Sequence, residues 1–395
     1  MAEPAPILIA GGGIGGLALA LGLAQAGRRS IVLEQRDAFT TAGAGIQLGP
    51  NGVRVLQRLG VADRLRPAVG VPEALDVFEG RTGRKLAALP LGTWIAARHG
   101  APYWVAHRGD LHDALHGAAS TEPAIALRTG FALASVTQGA DGVEARSAGG
   151  DRVAGVALVG ADGLWSCVRR EVCPTASPTF VGSTATRTVI PAASAGRLAA
   201  STVGLWLSPG ANVVHYPVRA GAEIAVVVIA AEAWQGRDWD VDADREALLA
   251  RIAGLHVGLT EPLAGAPSWR KWALYRLPPL PRWSVGRVAL IGDAAHPMLP
   301  HLAQGGVLAL EDAVVLADCL SAAPGDEAAA FLRYEAQRRA RAARVQEMSR
   351  LNGRIYHLAG PLAWARNALL HLLPGERLMA GYDWLYGWQV PGVQR

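Results

Sequence analysis

The chain has 395 residues, of which 51% are hydrophobic and 18% are charged. This balance is ordinary for a globular enzyme of two domains and too apolar for a disordered chain. The net charge is +5, and every basic residue apart from the histidines and from Lys85 and Lys271 is an arginine. Because no basic stripe alternates with aromatic side chains, the composition argues against nucleic-acid binding.

Cysteine spacing and apolar runs narrow the class of protein further. Cys167, Cys173 and Cys319 form neither a CxxC pair nor a metal-ligand pattern, so we expect free thiols and no metal site. The apolar N-terminus lacks the basic leader of a signal peptide, and no other apolar run reaches the roughly 18 residues of a membrane span. We therefore expect a cytoplasmic protein without a membrane segment.

The N-terminus reads as a strand, a glycine-rich turn, an apolar helix and a second strand. PILIA (6–10) and SIVLE (30–34) are the strands, and the helix begins in GGGIGG and extends to about Gly27. This order is typical of the first βαβ unit of a dinucleotide-binding domain.

The glycines of that turn follow the spacing G-x-G-x-x-G at Gly11, Gly13 and Gly16. The first allows a tight turn, the second lets the backbone approach a pyrophosphate, and the third lets helix and strand pack closely. The free N–H groups at the start of the helix then face the phosphates. Glu34 ends the second strand, where its carboxylate can accept hydrogen bonds from a ribose. Together these features predict a dinucleotide site.

The rest of the chain alternates strands and helices without repeats. Paired strands are predicted at 74–79 and 85–90, and a helix N-capped by Asp110 at 107–115. Antiparallel strands of a second sheet are predicted between 181 and 275, with an amphipathic helix over 241–255. Long helices follow at 304–320 and 327–352, the latter with its arginines on a solvated face.

Two further strand–turn segments end in aspartate, GADGLWSCVR with Asp162 and GRVALIGDAAH with Asp293. The ribityl chain and second phosphate of a flavin need donors and acceptors beyond the first βαβ unit, which a plain NAD-dependent dehydrogenase does not. The alternative is that both aspartates cap ordinary turns.

The combination of GGGIGG, GADGLWSCVR and GRVALIGDAAHPMLPHLAQGG resembles the single-component FAD-dependent aromatic hydroxylases. Within that family, the likeness is to salicylate hydroxylase and 3-hydroxybenzoate 6-hydroxylase. It extends to LALEDAVVLA, YEAQRRARAARVQ and the C-terminal YDWLYGW, and so covers nearly the whole chain. The motifs are more specific for FAD and the fold than for the substrate.

The fold expected from the residues and the resemblance is α/β, with a Rossmann-like FAD-binding domain and a mainly antiparallel substrate-binding sheet. We expect the FAD-binding domain to comprise 1–73, 101–180 and 277–353. The substrate domain would comprise 74–100 and 181–276, and a helical tail would follow over 354–395.

The resemblance also implies which residues bind FAD. They are Gly11, Gly13, Ile14, Gly15, Gly16, Glu34, Arg36, Gly45, Arg108, Asp162, Gly163, Asp293, Pro300 and Gly305. Only one dinucleotide fingerprint is present, so NAD(P)H is expected to bind transiently. In this family NAD(P)H reduces FAD, and O₂ then forms a flavin hydroperoxide that hydroxylates a small hydroxylated aromatic acid.

The candidate substrate-side residues are Gln47, Asn212, His215, Tyr216, Pro300, His301 and Gln304. Many relatives carry a histidine four residues before the tyrosine of the YPV strand, whereas this chain has Asn212 there. Strand alternation places Asn212 and Tyr216 on one face and His215 on the other. His301 resembles a histidine of 6-hydroxynicotinate 3-monooxygenase, and Gln47 occupies a slot where that enzyme has another.

Several alternatives stay open at this point. His301 favours a heteroaromatic acid such as hydroxynicotinate as substrate, with a structural role beside the flavin loop as its alternative. A flavin-binding redox module without catalysis is a third function. His296 is expected to hold the turn after Asp293, and YDWLYGW to serve as tail packing or as a homodimer contact.

Overall fold

The computed structural model describes residues 5–39, 45–198, 201–234 and 240–390. The first part of the glycine-rich stretch at 41–61 therefore lies outside the described residues. The strands of the N-terminal half are β1 (Ile7–Ala10), β2 (Ser30–Leu33), β3 (Gly45–Leu48), β4 (Ala74–Glu79), β5 (Lys85–Pro90), β6 (Trp104–His107), β7 (Ile125–Arg128), β8 (Leu133–Gln138), β9 (Val143–Ser147), β10 (Arg152–Gly155) and β11 (Ala157–Gly160). Those of the C-terminal half are β12 (Thr179–Pro191), β13 (Thr202–Ser208), β14 (Ala211–Val218), β15 (Glu223–Ala231), β16 (Asp240–Asp242), β17 (Arg270–Arg276), β18 (Ser284–Val285) and β19 (Val288–Leu290).

The α-helices connect these strands and dominate the C-terminal quarter. They are α1 (Ile14–Gln25), α2 (Pro50–Arg58), α3 (Ala62–Leu65), α4 (Gly92–His99), α5 (Arg108–Ala119), α6 (Arg169–Val172), α7 (Arg245–Ile252), α8 (Val257–Ala264), α9 (Gly305–Ser321), α10 (Glu327–Tyr356), α11 (Gly360–Leu372), α12 (Gly375–Ala380) and α13 (Asp383–Tyr386). None of the helices in the described part of the chain combines the length and the apolar character that a membrane span requires.

A six-stranded sheet in the order β18-β19-β11-β1-β2-β7 forms the centre of the first domain. The strands from β19 to β7 run parallel, and β1 lies between β2 and β11 with all four of its residues buried. Parallel strands covered on both faces require such continuous apolar runs. The helix α1 crosses this sheet and packs on α9, where a Cβ on Gly22 would lie 3.0 Å from the Cβ of Ala317. The Rossmann-like core predicted from the βαβ pattern is confirmed.

An eight-stranded sheet in the order β16-β17-β12-β15-β14-β13-β4-β5 forms the second layer. Its neighbouring strands are antiparallel except for β13 and β4, which run parallel. One face, here called the outer face, is covered by α7 and α8, whose Leu248, Ile252 and Leu259 join Trp206 and Val213 in a separate core. The other face, here called the inner face, joins the main core of the first domain. The mainly antiparallel second sheet is thus confirmed.

Two small sheets complete the fold, β10-β9-β8 and the antiparallel pair β3–β6. The β3 strand lies between the two layers. A Cβ on Gly45 would lie 2.3 Å from the Tyr216 ring on the inner face, and a Cβ on Gly306 would lie 2.8 Å from Ile46. The pair β3–β6 therefore connects the large sheet to the start of α9.

Three local expectations need correction. The N-cap of α5 is His107, whose side chain accepts from the Gly109 N–H, and Asp110 lies in the first turn. The predicted helix over 241–255 is shorter, because its first residues form β16 and Asp244 caps α7. The arginines of α10 are not all solvated, since Arg338 is 1% exposed and pairs with two acids of α9.

Candidate active site

The glycine fingerprint forms the turn between β1 and α1. Gly11 has φ +107°, and a Cβ there would lie 2.5 Å from the Ala161 carbonyl oxygen. A Cβ on Gly16 would lie 2.0 Å from the Gly11 carbonyl oxygen, so the turn closes directly onto the helix. Gly13 N-caps α1 and is exposed, with open space around its Cα. A phosphate can therefore approach the free N–H groups of the helix.

Two further members of the predicted loop, Ile14 and Gly15, pack against the interior of the domain. Ile14 is the buried first residue of α1. Gly15 faces α9, where its Cβ would lie 3.2 Å from the Cβ of Ala309.

Glu34 stands at the end of β2 and already binds the loop backbone. Its Oε2 accepts from the Gly12 N–H at 2.9 Å and its Oε1 from the Arg36 N–H at 3.0 Å. A carboxylate has about four acceptor sites, so the remaining lone pairs are available to a ribose. His112 of α5 fixes the same loop from the other side, its Nε2 lying 2.8 Å from the Gly12 carbonyl oxygen. Sequence reasoning missed His112, because only the fold brings α5 to this turn.

Three charged side chains lie beyond the first βαβ unit: Arg108 and Asp162 are half-buried, and Asp293 is exposed. Arg108 begins α5, and its Nε has no hydrogen-bond partner in the described part of the chain. Asp162 Oδ2 accepts from the N–H groups of Cys167 at 2.7 Å and Val168 at 3.1 Å, whereas its buried Oδ1 accepts from no described group. Buried polar atoms are normally paired, so these atoms require a ligand or water.

Asp293 is exposed to solvent, whereas protein atoms surround its carboxylate, and Arg108 and Arg169 lie near it. Burial raises its pKa, and the nearby Arg108 guanidinium lowers it in part. Burial likewise lowers the pKa of Arg108, and Asp293 raises it. The Asp293 carboxylate and the Arg108 guanidinium offer an acceptor and a donor of the kind that the ribityl chain and phosphates of FAD need.

Ion pairs hold the backbone of the 292–306 loop. Asp312 Oδ2 on α9 accepts from the Gly292 N–H at 3.0 Å and lies 2.5 Å from His296 Nε2, while Arg338 Nε donates to Oδ1 at 2.7 Å. Burial alone would raise the pKa of Asp312, but His296 and Arg338 lower it below its usual range. His296 thus holds the turn after Asp293.

Pro300 opens a single 3₁₀ turn, after which Ala303 adopts φ +53° and Gly305 begins α9. Gln304 is 2% exposed, and its Oε1 accepts from Asn51 Nδ2 at 3.0 Å. Asn51 also donates to Glu311 Oε1 at 2.7 Å, so the two amides and the carboxylate form one buried chain of hydrogen bonds. The position of Gln304 is therefore fixed by α2 and α9.

The ring of His301 packs against the end of α10. A Cβ on Gly353 would lie 2.6 Å from its Cδ2, and the rings of Tyr356 and His357 meet it edge-on with centroids 5.8 and 6.1 Å away. Burial, with the nearby His357, lowers the pKa of His301 to about 4. His301 is therefore neutral at physiological pH, and its Nδ1 has no partner among the described groups.

On the inner face, the structure brings Tyr216 and Gln47 together with a tyrosine that the sequence analysis missed. Tyr103, which directly precedes β6, donates its hydroxyl hydrogen to Gln47 Oε1 at 2.7 Å. The Tyr216 ring covers Gly45, two residues before Gln47 in the same strand. Burial raises the pKa of Tyr216 to about 12, and Arg187 lowers it in part. Only the strand alternation of PYWVAH could have indicated Tyr103.

Asn212 shares the inner face with Tyr216, and His215 does not. Asn212 is 1% exposed, and no described group donates to its buried Oδ1. The His215 ring lies on the outer face against Gly204 and 6.3 Å from the Trp206 ring. Burial lowers the pKa of His215 to about 4. His215 therefore lies on the face opposite that of Tyr216, as its strand position indicated.

The C-terminal tail closes over α2 and α10. Arg54 donates to the backbone of His99, Tyr386 and Trp388, and the guanidiniums of Arg338 and Arg341 each lie 5.5 Å from the centroid of the Trp388 ring. Stacked cations and buried rings of this kind stabilise packing. YDWLYGW therefore serves as tail packing.

The chain was also compared with known proteins. A family model described as an FAD binding domain matches residues 4–349. The 3-hydroxybenzoate 6-hydroxylase of Klebsiella oxytoca is 36% identical over 391 residues, covering 98% of both chains. The 6-hydroxynicotinate 3-monooxygenase of Bordetella bronchiseptica is 34% identical over 351 residues, covering 88% of this chain and 91% of the relative.

Among solved structures, a salicylate hydroxylase substrate complex superposes with a TM-score of 0.83 at 27% identity, covering 99% of this chain and 97% of that one. This agreement extends over both layers of the fold and the C-terminal helices. The open helix end and the unpartnered buried atoms of Arg108 and Asp162 fit FAD independently of the comparisons. The chain therefore belongs to the FAD-binding family and is an FAD- and NAD(P)H-dependent aromatic monooxygenase.

Proposed function

We propose that this enzyme hydroxylates the ring of a small hydroxylated aromatic carboxylic acid of the hydroxybenzoate type. The observation that carries the proposal is the set of neutral polar side chains on and around the inner face, Gln47, Tyr103, Asn212 and Tyr216. A phenolic ring needs both apolar surface and a few placed hydrogen-bonding groups, and this face provides both.

Bound FAD supplies the oxygen-transferring chemistry, and the chain binds and orients it. We assign the adenosine diphosphate half to Gly11, Gly13, Gly16, Glu34 and Arg36. We assign the phosphate and ribityl region to Arg108, Asp162 and Asp293. The unpartnered Arg108 Nε and Asp162 Oδ1 and the solvent exposure of Asp293 support this assignment. The remaining assigned positions are Ile14, Gly15, Gly45, Gly163, Pro300 and Gly305.

The substrate hydroxyl is activated by hydrogen bonding in this proposal, and no side chain of the site takes its proton fully. Asn212 Oδ1 accepts from the substrate O–H, and Tyr216, with a pKa near 12, stays protonated and donates. His301, with a pKa near 4, is a weak base and acts as a neutral hydrogen-bonding partner. Pro300 and Gln304, which is held by its hydrogen bond from Asn51, line the substrate ring on the flavin side. The sheets and helices around these two residues exclude water.

A heteroaromatic acid such as hydroxynicotinate is the second candidate substrate. The buried neutral imidazole of His301 with its unpartnered Nδ1 favours it, because a ring nitrogen or lactam N–H of such a substrate can hydrogen-bond there. The similarity to 6-hydroxynicotinate 3-monooxygenase supports this alternative.

The two substrates are distinguished by NADH and NADPH oxidation by the FAD-loaded protein. Hydroxybenzoates and hydroxypyridine carboxylates are added one at a time, and the product mass is read alongside. A hydroxybenzoate that accelerates oxidation and gains one oxygen supports the first proposal, and a hydroxynicotinate that does so supports the second. If no compound of the panel gains oxygen, both proposals are wrong.

We further propose the domain division expected from the sequence and a homodimer. The shared sheet of β4, β5 and β12 to β17 supports the division. The exposed apolar side chains of α11, Leu362, Trp364, Leu369 and Leu372, support the dimer. Sedimentation velocity of the wild type and of Leu369→Glu tests the dimer, which the charged variant is expected to dissociate.

A further inference from the structure

The carboxylate of Glu311 on α9 is a buried charge from which a chain of two amides extends. Glu311 is fully buried, accepts two hydrogen bonds from Arg341 at 2.7 and 2.8 Å, and lies 2.8 Å from Arg338 Nη1. Burial alone would raise the pKa of Glu311, but these two guanidiniums and the hydrogen bond from Asn51 lower it. Glu311 is therefore ionised at neutral pH, and an ionised carboxylate only accepts hydrogen bonds.

The charge of Glu311 fixes which way the amide of Asn51 is turned. Asn51 Nδ2 donates to Glu311 Oε1 at 2.7 Å and to Gln304 Oε1 at 3.0 Å, which uses both hydrogens of this nitrogen. Its buried Oδ1 accepts from no described group. In the opposite orientation this oxygen would face the carboxylate, so Asn51 presents its N–H groups to both neighbours.

The orientation of Gln304 follows from that of Asn51. Because Asn51 offers only N–H groups, Gln304 must present its Oε1 to Asn51, and its own N–H groups then face away from Asn51. Gln304 is the N-cap residue of α9, but its side chain makes no capping hydrogen bond, and its Nε2 donates to no group in the described part of the chain. The side chain of Gln304 is therefore oriented by α2 and not by its own helix.

The first turn of α9, which Gln304 opens, lies between the residues assigned to the flavin and the strand β3. A Cβ on Gly305 would lie 3.9 Å from Asp293 Oδ1, and a Cβ on Gly306 would lie 2.8 Å from Ile46 Cδ1. The orientation of the Gln304 amide thus matters at the position where flavin and substrate are expected to meet.

We propose that Asn51 is a positioning residue for ring hydroxylation, which holds the N–H groups of Gln304 toward an oxygen of the aromatic substrate. The inference rests on the proposed function, in which Gln304 lines the substrate ring. Glu311 sets the direction of the two amides. An amide that can turn offers a donor or an acceptor, whereas a fixed one offers the donor alone and is ordered before the substrate binds.

The competing account is that Asn51 only ties α2 to α9. Asn51→Asp separates the two accounts, because it keeps the size of the side chain and removes its two donors. Beside the ionised Glu311, the new carboxyl group either is ionised or gives its single hydrogen to Glu311. In both cases Gln304 must turn its N–H groups toward residue 51 and its oxygen toward the substrate.

The test uses the FAD-loaded protein without NAD(P)H, so that no turnover occurs. The change in the flavin absorption spectrum measures the Kd of 3-hydroxybenzoate, salicylate and 6-hydroxynicotinate. The Kd for FAD and the midpoint of urea unfolding are measured alongside. The variants are Asn51→Leu, Asn51→Asp, Gln304→Leu and the two double variants, and Asn51→Ala replaces Asn51→Leu if the latter does not fold.

Arg58→Met is the matched control. Arg58 donates to Asp318 at 2.9 Å and so joins the same two helices about two turns further along each of them. The control should therefore leave the Kd of the acid unchanged.

For the acid that the wild type binds, Asn51→Leu and Asn51→Asp are each expected to raise the Kd about three- to tenfold, the range of one net hydrogen bond. In the Gln304→Leu background, neither change should alter this Kd by more than about twofold, although the midpoint of urea unfolding should still fall. The Kd for FAD should stay within about twofold throughout.

Three results would overturn the assignment while the proposed function stands. They are a wild-type Kd of the acid in Asn51→Leu or Asn51→Asp, an undiminished effect of either change in the Gln304→Leu background, and a rise confined to the Kd for FAD. If the wild type binds none of the three acids, the proposed function and this assignment are both wrong.

Discussion

Tyr103 donates its hydroxyl hydrogen to Gln47 Oε1 at 2.7 Å and so joins the residue before β6 to β3, the strand whose Gly45 lies against the ring of Tyr216. Both residues of this hydrogen bond are buried, and Tyr103 is 3% exposed. Replacing Tyr103 with Phe leaves a buried amide oxygen without its donor, which costs about 1–3 kcal/mol. We expect Tyr103→Phe to lower the free energy of unfolding by that amount and to weaken substrate binding. Urea unfolding and substrate titration measure the two effects.

Tyr275→Phe is the control for that experiment, because its ring packs against Trp165 and Phe180 and takes no part in the hydrogen bond between Tyr103 and Gln47. If Tyr103→Phe keeps the stability and the substrate affinity of the wild type, the Gln47 side chain must receive its hydrogen bond from another group.

Gly45 is expected to tolerate no side chain. A Cβ there would lie 2.3 Å from the Tyr216 ring, so Gly45→Ala must displace that ring. Overpacking of this kind costs about 1–3 kcal/mol. We expect a lower midpoint of urea unfolding and a higher Kd for the substrate. Gly254→Ala, whose Cβ would meet nothing within 4 Å, should leave both quantities unchanged.

Gly13 should be needed for FAD and not for folding. A Cβ on Gly13 would meet no protein atom within 4 Å, so the side chain of Gly13→Val extends into the open space from which a phosphate would approach the first turn of α1. We expect unfolding of the FAD-free protein to be unchanged and the Kd for FAD to rise at least about tenfold, following the role of this glycine in pyrophosphate binding. Gly16→Val, in contrast, should prevent folding, since its Cβ would lie 2.0 Å from the Gly11 carbonyl oxygen. Unaltered FAD binding in Gly13→Val would contradict the proposed phosphate site.

His215 should influence stability in acid and leave hydroxylation intact. Its pKa is lowered by burial to about 4, against about 6.5 in the unfolded chain. Between pH 6.5 and pH 4 the unfolded state therefore binds more protons than the folded state. The contribution of the buried, neutral His215 to stability is complete above pH 6.5 and is lost as the pH falls toward 4. The full shift corresponds to roughly 3 kcal/mol.

His215→Leu is expected to flatten the pH dependence of the urea midpoint between pH 6.5 and 4, and to retain kcat at neutral pH. His301 serves as the comparison, because its pKa is also lowered to about 4 but it belongs to the proposed substrate site. A large loss of kcat in folded His215→Leu would return this histidine to the catalytic group.

The elements that sequence reasoning predicted well are those whose signal is local. The glycine fingerprint, the end of β2 at Glu34 and the faces of β14 depend on residues adjacent in the chain, and strand alternation alone separated His215 from Tyr216. The turn after Asp293 was likewise predicted from its local motif, and the hydrogen bond between His296 and Asp312 holds this turn as expected.

The remaining features depend on contacts between distant segments. Arg338 and Arg341 read as members of a solvated helix face, but the packing of α10 on α9 buries Arg338 with Glu311 and Asp312. Tyr103 enters the site because β6, which directly follows it, pairs with β3. No pattern within either segment encodes such a pairing, so tertiary structure was required.

The most direct test of the account is a single turnover under ¹⁸O₂ with the FAD-loaded enzyme, NADH or NADPH, and the aromatic acid that the panel identifies. We expect mass spectrometry to find one ¹⁸O atom on the ring of the product and none from labelled water. The Tyr103→Phe and Gly45→Ala variants should give less of the same product. A product without ¹⁸O would contradict the assignment of this site to ring hydroxylation. The same conclusion would follow if the enzyme oxidised NADH or NADPH with every acid tested and formed only hydrogen peroxide.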